Sequence, residues 1–314
     1  MGLQNHDHER YSARNLRDAA LSIYGFFVGL VYVKDGVGDS ALHYCTQLWI
    51  VSSSPADKRG YISLYGMAYG VGFSIGPLGI NLMRFRDAVP FITSAVFFVL
   101  ILLLVAKLPH QFPEKVAKAA LPAGNWHVMA YRFAWFALIP GFLYGLMEAS
   151  MNSSFPLYGL RIELSEQWIS LLLPALGIGS LLLMFPLGML SDRIGRKPVL
   201  MACGLAGGLL FLTVPLAGNH AAALLVLLAL IGGVIGSFYS LGLAYPADVL
   251  PKVIMPTANV IASIHFSIGS LLSPSIGGYG IRYVSVYSMF ILLDLAYLLF
   301  AICGFFFKKR EWSS

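Results

Sequence analysis

The sequence predicts an all-α, polytopic membrane protein, and two observations carry that prediction. Of the 314 residues, 58% are hydrophobic and only 11% are charged, and the mean hydropathy is +0.74. Soluble domains carry about 25% charged residues, so this composition excludes an ordinary soluble enzyme and a nucleic-acid-binding protein. The charges also divide the chain into apolar runs of helical length, which is the pattern of membrane-spanning helices.

Ten apolar segments follow a polar N-terminal tail, residues 1–18. The segments are 19–33, 36–53, 60–82, 88–107, 130–157, 167–190, 198–217, 221–244, 255–280 and 283–307. We expect the first four to form a partial N-terminal bundle over 19–107 and the last six to form a C-terminal bundle over 130–307. The charged, proline-containing stretch 108–129 is then the linker between the two bundles, and 308–314 is the C-terminal tail.

The positive charges indicate the orientation of the spans. Thirteen Lys and Arg residues lie in one set of alternate loops, and four lie in the opposite set. Those four are Arg84, Arg86, Arg161 and Arg282. Because loops rich in Lys and Arg stay in the cytoplasm, the sequence predicts a multi-pass protein of the plasma membrane with a cytoplasmic C-terminus.

Two short strings recur in the same order in the two halves of the chain. Pro55-Ala56-Asp57 precedes Phe73-Ser74-Ile75-Gly76, and Pro246-Ala247-Asp248 precedes Phe266-Ser267-Ile268-Gly269. Each copy places the first string at a span end and the second inside the next span. The order indicates a parallel repeat of two helical halves.

The most specific motif lies between two spans on the predicted cytoplasmic side. It reads Gly188-Met189-Leu190-Ser191-Asp192-Arg193-Ile194-Gly195-Arg196-Lys197. We expect Gly188 to allow close approach of a neighbouring helix and Gly195 to allow a tight turn. Asp192 can pair with an arginine or accept hydrogen bonds from a helix N-terminus, and the three basic residues anchor the loop.

This string resembles the signature loop of the major facilitator superfamily of secondary transporters, where it connects the second and third helices of each half. Gly72-x-x-x-Gly76-Pro77 resembles the family's fifth-helix motif, which is often linked to antiporters, although Ile80 and Asn81 replace its usual paired glycines. The resemblance covers about residues 36–310. It implies two helical bundles with alternating access. In the family's twelve-helix pattern, the chain would then correspond to helices three to twelve. The first two helices and the first-half copy of the signature loop would be missing.

Glu148 is an ionisable residue near the middle of a span. Burying a charged group in a membrane costs free energy, so such a residue usually has a function. Tyr144, Glu148 and Asn152 follow a spacing of four residues, so we expect them to share one helix face. The resemblance makes this helix the seventh, which lines the transport cavity. Because an apolar cavity favours the protonated form of a carboxyl group, Glu148 is a candidate for proton coupling or cation recognition; the alternative is a structural hydrogen bond.

Asp39, His43 and Gln47 form a second stripe with the same spacing, on the helix that the resemblance makes the fourth. His43 could exchange a proton under the influence of Asp39, although Asp39 could equally cap its helix at the membrane edge.

Four other polar side chains within spans have a structural interpretation beside the functional one. Asp294 lies mid-span in the peripheral twelfth helix of the resemblance, which favours a contact between helices. His265 is more simply interpreted as a structural histidine. Tyr239 and Tyr245 could stack on a substrate or pack.

The sequence therefore predicts a secondary transporter rather than an enzyme. Gly72-x-Ser74-x-Gly76 matches a serine-hydrolase string, but it lies inside a span. We expect no enzyme activity, no cofactor and no bound metal. The predicted function is proton-coupled efflux of small organic compounds. The alternatives are uptake of a sugar or other metabolite and a truncated, transport-inactive membrane protein. The expected partners are a small-molecule substrate, protons and the lipid bilayer, with no nucleic acid, and the expected state is a monomer.

Overall fold

The structure is a computed structural model that describes residues 68, 70–72, 75–107, 125–251 and 254–308. A 3-10 helix, Gly76–Arg84, precedes the apolar helix α1, Val89–Val105. Six longer helices follow. They are α2 Trp126–Arg161, α3 Glu166–Ile194, α4 Arg196–Ala217, α5 Ala221–Val249, α6 Met255–Tyr283 and α7 Ser288–Phe306.

The six helices α2 to α7 are long and apolar enough to cross a membrane. They coincide with the last six predicted spans, and this part of the prediction is confirmed. The predicted span 88–107 appears as α1, whose side chains are mostly exposed, as expected for a helix that faces lipid. The predicted span 60–82 differs, because its last part is the 3-10 helix from Gly76. This stretch contains Gly76, Pro77 and Gly79, and glycine and proline are the weakest α-helix formers.

Local sequence sets where the helices begin and end. The Asn125 side chain accepts a hydrogen bond from the His127 backbone N–H (3.1 Å), which caps α2. The Ser165 hydroxyl accepts one from the Trp168 N–H (3.4 Å) and caps α3. Between α3 and α4, Gly195 has a φ of 92°, a conformation that is strained for residues with a Cβ. The chain can therefore reverse within one residue.

Helix α2 is not regular along its length. Ala134 has non-helical angles (φ −130°, ψ 19°), and a π-helical turn occupies Ser150–Ser154. The bend at Ala134 redirects the first turns of the helix, and there the Tyr131 hydroxyl lies 3.2 Å from His265 Nε2 of α6. This contact agrees with a structural role for His265.

Helices α2 and α6 approach each other through glycines. A Cβ at Gly145 would collide with the Phe266 carbonyl oxygen, and a Cβ at Gly269 would collide with the Phe142 carbonyl oxygen. Such small residues permit the backbone contact that holds membrane helices together. Ser273 adds a hydrogen bond across the same interface, donating to the Leu146 carbonyl oxygen at 2.8 Å.

Helices α3 and α5 form a second glycine-mediated pair. A Cβ at Gly179 would collide with the Ala229 carbonyl oxygen, and a Cβ at Gly232 would collide with the Leu176 carbonyl oxygen. Helices α4 and α7 pack as a third pair, with Gly208 facing Leu298. The described core therefore consists of three closely packed helix pairs.

The α3–α5 contact leads to a stability prediction. Gly232→Ala should lower the unfolding temperature of the purified protein, because the two helices must separate to admit the methyl group; overpacking of this kind costs on the order of 1–3 kcal/mol. The measurement is thermal unfolding in detergent. Gly278→Ala is the matched control, since no described residue lies within 4 Å of its Cβ position. Equal losses of stability in the two variants would contradict the proposed packing.

Candidate functional site

Tyr144 and Glu148 lie one helical turn apart near the middle of α2. Both are buried, each with 9% of its surface exposed. The structure thus brings together two of the three residues of the predicted α2 stripe. A carboxyl group at this depth is expensive to keep in a membrane unless it has a function or a partner.

Tyr144 also belongs to a cluster of three aromatic rings from three different helices. Its ring stacks on Tyr239 of α5 (centroids 5.7 Å apart) and on Phe266 of α6 (6.2 Å). The Tyr239 and Phe266 rings are 5.4 Å apart. We call Tyr144, Tyr239 and Phe266 the ring cluster. Tyr144 is buried, whereas Tyr239 and Phe266 are only partly buried, so the cluster lies at the edge of the bundle core.

Sequence reasoning did not single out Phe266 as a site residue, because a phenylalanine in an apolar span carries no distinct signal. Its only marker was the repeated string Phe266-Ser267-Ile268-Gly269. The structure gives two members of that string a role. Gly269 allows α6 to approach α2, and Phe266 lies against Gly145 at the same contact.

Asn152 lies apart from Tyr144 and Glu148. It belongs to the π-helical turn, where the i→i+5 hydrogen bonds interrupt the α-helical spacing that the sequence analysis assumed. Asn152 is exposed and lines a cavity of about 870 Å³, which neither Tyr144 nor Glu148 lines. The three-residue stripe is therefore divided between two environments.

The cavity lies between the 3-10 helix, α1 and the adjoining parts of α2 and α3. Gly72, Gly76 and Gly79 line one wall, and no described residue lies within 4 Å of their Cβ positions. Two glycines of the fifth-helix motif thus face open space. Asn81 of the same 3-10 helix donates from its side-chain amide to the Ser170 hydroxyl of α3 at 3.4 Å.

A second candidate region lies at the turn between α3 and α4. The Arg196 guanidinium donates to the Asp248 carboxylate of α5 and also to the Asp192 carboxylate of α3, at 3.5 Å. One arginine therefore connects the end of α3, the start of α4 and the end of α5. We call Asp192, Arg196 and Asp248 the charge cluster. Asp248 belongs to the second Pro-Ala-Asp string of the repeat.

Lys197 extends these contacts to the end of α7. Its ammonium group donates to the Phe307 carbonyl oxygen at 2.7 Å, where the last carbonyl groups of a helix lack intrahelical partners. The Phe307 ring is buried and stacks on Phe136 of α2 (5.5 Å), and Tyr245 packs beside it (6.1 Å). Tyr245 is therefore part of a packed aromatic group.

Two other motif residues behave differently from the charge cluster. Arg193 is exposed, and it forms no ion pair with any residue that the structure describes. No described residue lies within 4 Å of a Cβ at Gly188, so the close helix contact expected at that position is not found.

The remaining candidates fall into two groups. Asp39, His43 and Gln47 lie outside the described residues. Asp294 is buried in α7, and its Oδ1 atom has no hydrogen-bond partner among the residues described. Within the same residues, no group of three His, Cys, Asp or Glu side chains could hold a metal ion.

Comparisons with known proteins identify the family. The sequence profile of the Major Facilitator Superfamily matches residues 137–313. The chain is 33% identical over 297 residues to YfkF of Bacillus subtilis (strain 168), described as an uncharacterized MFS-type transporter; the match covers 93% of this chain and 75% of YfkF. An uncharacterized MFS-type transporter of Yersinia pestis (strain Pestoides F) is 23% identical over 79% of this chain.

The chain spans 65% of the length of that Yersinia relative. A second Bacillus subtilis protein, the uncharacterized MFS-type transporter YfkL, is 33% identical over 41% of this chain and 32% of its own length. The profile match and the YfkF similarity agree with the helical bundle and with the signature loop between α3 and α4. This multi-pass membrane protein belongs to the major facilitator superfamily of transporters.

Proposed function

We propose that the chain is a proton-coupled exporter of small organic compounds and that Glu148 carries the proton. The observation that supports this proposal is the burial of the Glu148 carboxyl group at mid-span, one helical turn from the buried Tyr144. Transporter sites of this kind lie near the membrane midplane. A carboxyl group there can bind a proton from one side and release it to the other as access alternates.

The direction of transport is supported by the glycine wall of the cavity. Gly72 and Gly76 match two glycines of the family's fifth-helix motif, which is often linked to antiporters. Both residues line the 870 Å³ cavity. Antiport with protons would move the organic compound outward when the proton gradient is directed inward. Uptake of a metabolite is the alternative, and flux measurements in vesicles distinguish the two.

We further propose that the charge cluster and Lys197 form a cytoplasmic gate. The excess of Lys and Arg in loops on this side supports a cytoplasmic position at the plasma membrane. The cluster joins the ends of three helices, so it would have to break or rearrange when the bundle opens to that side. In this proposal the two-bundle division, with the linker at 108–129, and the monomeric state follow the family pattern.

The first test concerns Glu148. In proteoliposomes loaded with a pH-sensitive dye, a panel of organic cations, neutral organic compounds and sugars should include compounds whose movement is accompanied by proton flux in the opposite direction. Glu148→Gln should reduce that flux to the level of protein-free liposomes, because the amide cannot carry the proton.

Glu163→Gln is the matched control for this experiment. Glu163 is an exposed carboxyl group in the turn between α2 and α3, so its neutralisation should leave proton flux unchanged. Wild-type flux in Glu148→Gln would rule out the proposed proton carrier. Compound and proton moving in the same direction would instead support uptake.

The second test concerns the charge cluster. Arg196→Ala should accelerate amide hydrogen exchange in 192–198 and 246–250, because the ends of α3 and α5 lose their shared partner; exposed ion pairs contribute about 0.2–1 kcal/mol each. Arg193→Ala removes the same charge three residues earlier and should leave the exchange rates unchanged. Identical exchange in the two variants would show that Arg196 does not hold these helix ends together.

A further inference from the structure

We infer that the cavity of about 870 Å³ between the 3-10 helix, α1, α2 and α3 binds an uncharged, mostly apolar organic compound that carries a hydrogen-bond donor, such as a phenol. The inference rests on the proposed function in one respect, because it makes this compound the one that is exported. Glu148 does not line the cavity. The inference therefore concerns how a compound is held, and not how a proton is carried.

The wall contributed by the 3-10 helix leaves room for a ligand. Residues three positions apart share a face of a 3-10 helix, and Gly76, Gly79 and Leu82 follow this spacing and line the cavity. No described residue lies within 4 Å of a Cβ at Gly76 or Gly79. Phe91 and Phe97 of α1 also line the cavity, so an aromatic compound has ring surface to pack against. Pockets that hold drug-sized compounds have volumes of roughly 300–1,000 Å³, and the volume of this cavity lies in that range.

The charge of the lining favours an uncharged ligand. Among the residues that the structure describes, no charged side chain lines the cavity. Arg84 follows the lining residue Met83 directly, but Arg84 is exposed and its guanidinium group lies over the Phe85 ring, 5.0 Å from the centroid. An ion that enters an apolar cavity loses its hydration, and only an opposite charge or strong hydrogen bonds compensate for that loss. Both cations and anions are therefore disfavoured relative to neutral compounds.

The hydroxyl groups of the lining select a ligand that donates a hydrogen bond. Three of them already donate their proton to a carbonyl oxygen of their own helix: Thr93 to Val89 (2.9 Å), Ser94 to Pro90 (3.0 Å) and Ser170 to Gln167 (2.9 Å). A hydroxyl group has one proton and two lone pairs, so these three side chains can only accept a further hydrogen bond. A ligand with an O–H group provides the missing donor, whereas a ligand with acceptors alone does not.

Asn152 is the fourth polar side chain that lines the cavity. It belongs to the π-helical turn of α2, is exposed, and forms no side-chain hydrogen bond with any other residue in the described part of the chain. A side-chain amide both accepts and donates, so Asn152 can accept from a ligand hydroxyl and also donate to its oxygen. The lining as a whole thus offers four acceptor groups and one donor group, which matches a phenol better than an ether.

The experiment compares four compounds that share a biphenyl ring system and differ in one group. At about pH 7, para-phenylphenol is uncharged and donates a hydrogen bond, whereas para-methoxybiphenyl is uncharged and only accepts. The other two compounds are an anion, para-phenylbenzoate, and a cation, para-phenylbenzylammonium. Binding to the purified chain in nanodiscs is measured by equilibrium dialysis against empty nanodiscs, which corrects for partition into lipid. We expect saturable binding of the phenol, about fivefold weaker binding of the ether, and no saturable binding of either ion.

Single substitutions then test the place of binding. Gly79→Leu should abolish saturable binding of para-phenylphenol, because the leucine side chain occupies the cavity from the glycine wall. Gly278→Leu is the matched control and should leave the affinity unchanged, since Gly278 does not line the cavity and no described residue lies within 4 Å of its Cβ position. Asn152→Leu should weaken binding of the phenol about fivefold and narrow its advantage over the ether, because the volume is kept and a hydrogen bond is lost.

The outcomes separate this inference from the proposed function. Equal affinities for phenol and ether, saturable binding of either ion, or unchanged binding in Gly79→Leu overturns the inference, even where Glu148-dependent proton flux is intact. Selective binding of para-phenylphenol that Gly79→Leu abolishes supports the site, and a protein that binds the phenol in this way without transporting it overturns export instead. A misfolded variant is recognised by its size-exclusion profile, and the comparison of the four compounds on the unaltered protein then decides by itself.

Discussion

The close backbone contact between α2 and α6 is the constraint on which the candidate site depends. Lipid tails are as apolar as leucine, so membrane helices gain little from burying apolar surface and associate through tight packing and hydrogen bonds. At this interface Gly145 and Gly269 remove the side chains that would separate the helices. The contact places Phe266 against Gly145, one residue after Tyr144, and so it assembles two of the three rings.

The same interface explains how α2 accommodates its irregular turn. The π-helical turn Ser150–Ser154 follows Glu148 almost directly, and backbone groups displaced from the α-helical pattern need partners inside a membrane. Ser273 of α6 donates to the Leu146 carbonyl oxygen and contacts the Ser150 hydroxyl at 2.5 Å. Hydrogen bonds from α6 therefore support α2 on the turn that carries the buried carboxyl group.

Much of the fold follows from sequence, and much of the site does not. The six spans from α2 to α7 were predictable because apolar runs long enough to cross a bilayer are rare outside membrane-spanning helices. The turn at Gly195 was predictable because a short polar string between two apolar runs indicates a loop, and its glycine can adopt the positive φ that a tight turn requires. In contrast, the ring cluster depends on contacts between residues about 30 to 120 positions apart in the sequence, and ordinary aromatic residues carry no mark of such contacts.

The α2 stripe shows the same limit in a different form. A spacing of four residues predicts a shared face only while the helix stays α-helical, and the π-helical turn ends that regularity before Asn152. The Arg196–Asp248 contact joins residues 52 positions apart. The sequence analysis singled out Arg196 through the signature loop and Asp248 through the repeat. It did not predict that the two residues would contact each other.

Helix α5 connects the two candidate regions physically. It is interrupted after Ile235 and continues as Phe238–Ala244 and Pro246–Val249, and its first part packs on α3. Its last part carries Tyr239 of the ring cluster and Asp248 of the charge cluster. The ring that stacks on Tyr144 and the carboxylate that Arg196 holds therefore lie on the same short stretch of helix. Under the proposed function, proton binding at Glu148, one turn from Tyr144, and rearrangement of the charge cluster would be linked through this segment, as alternating access around a fixed site requires.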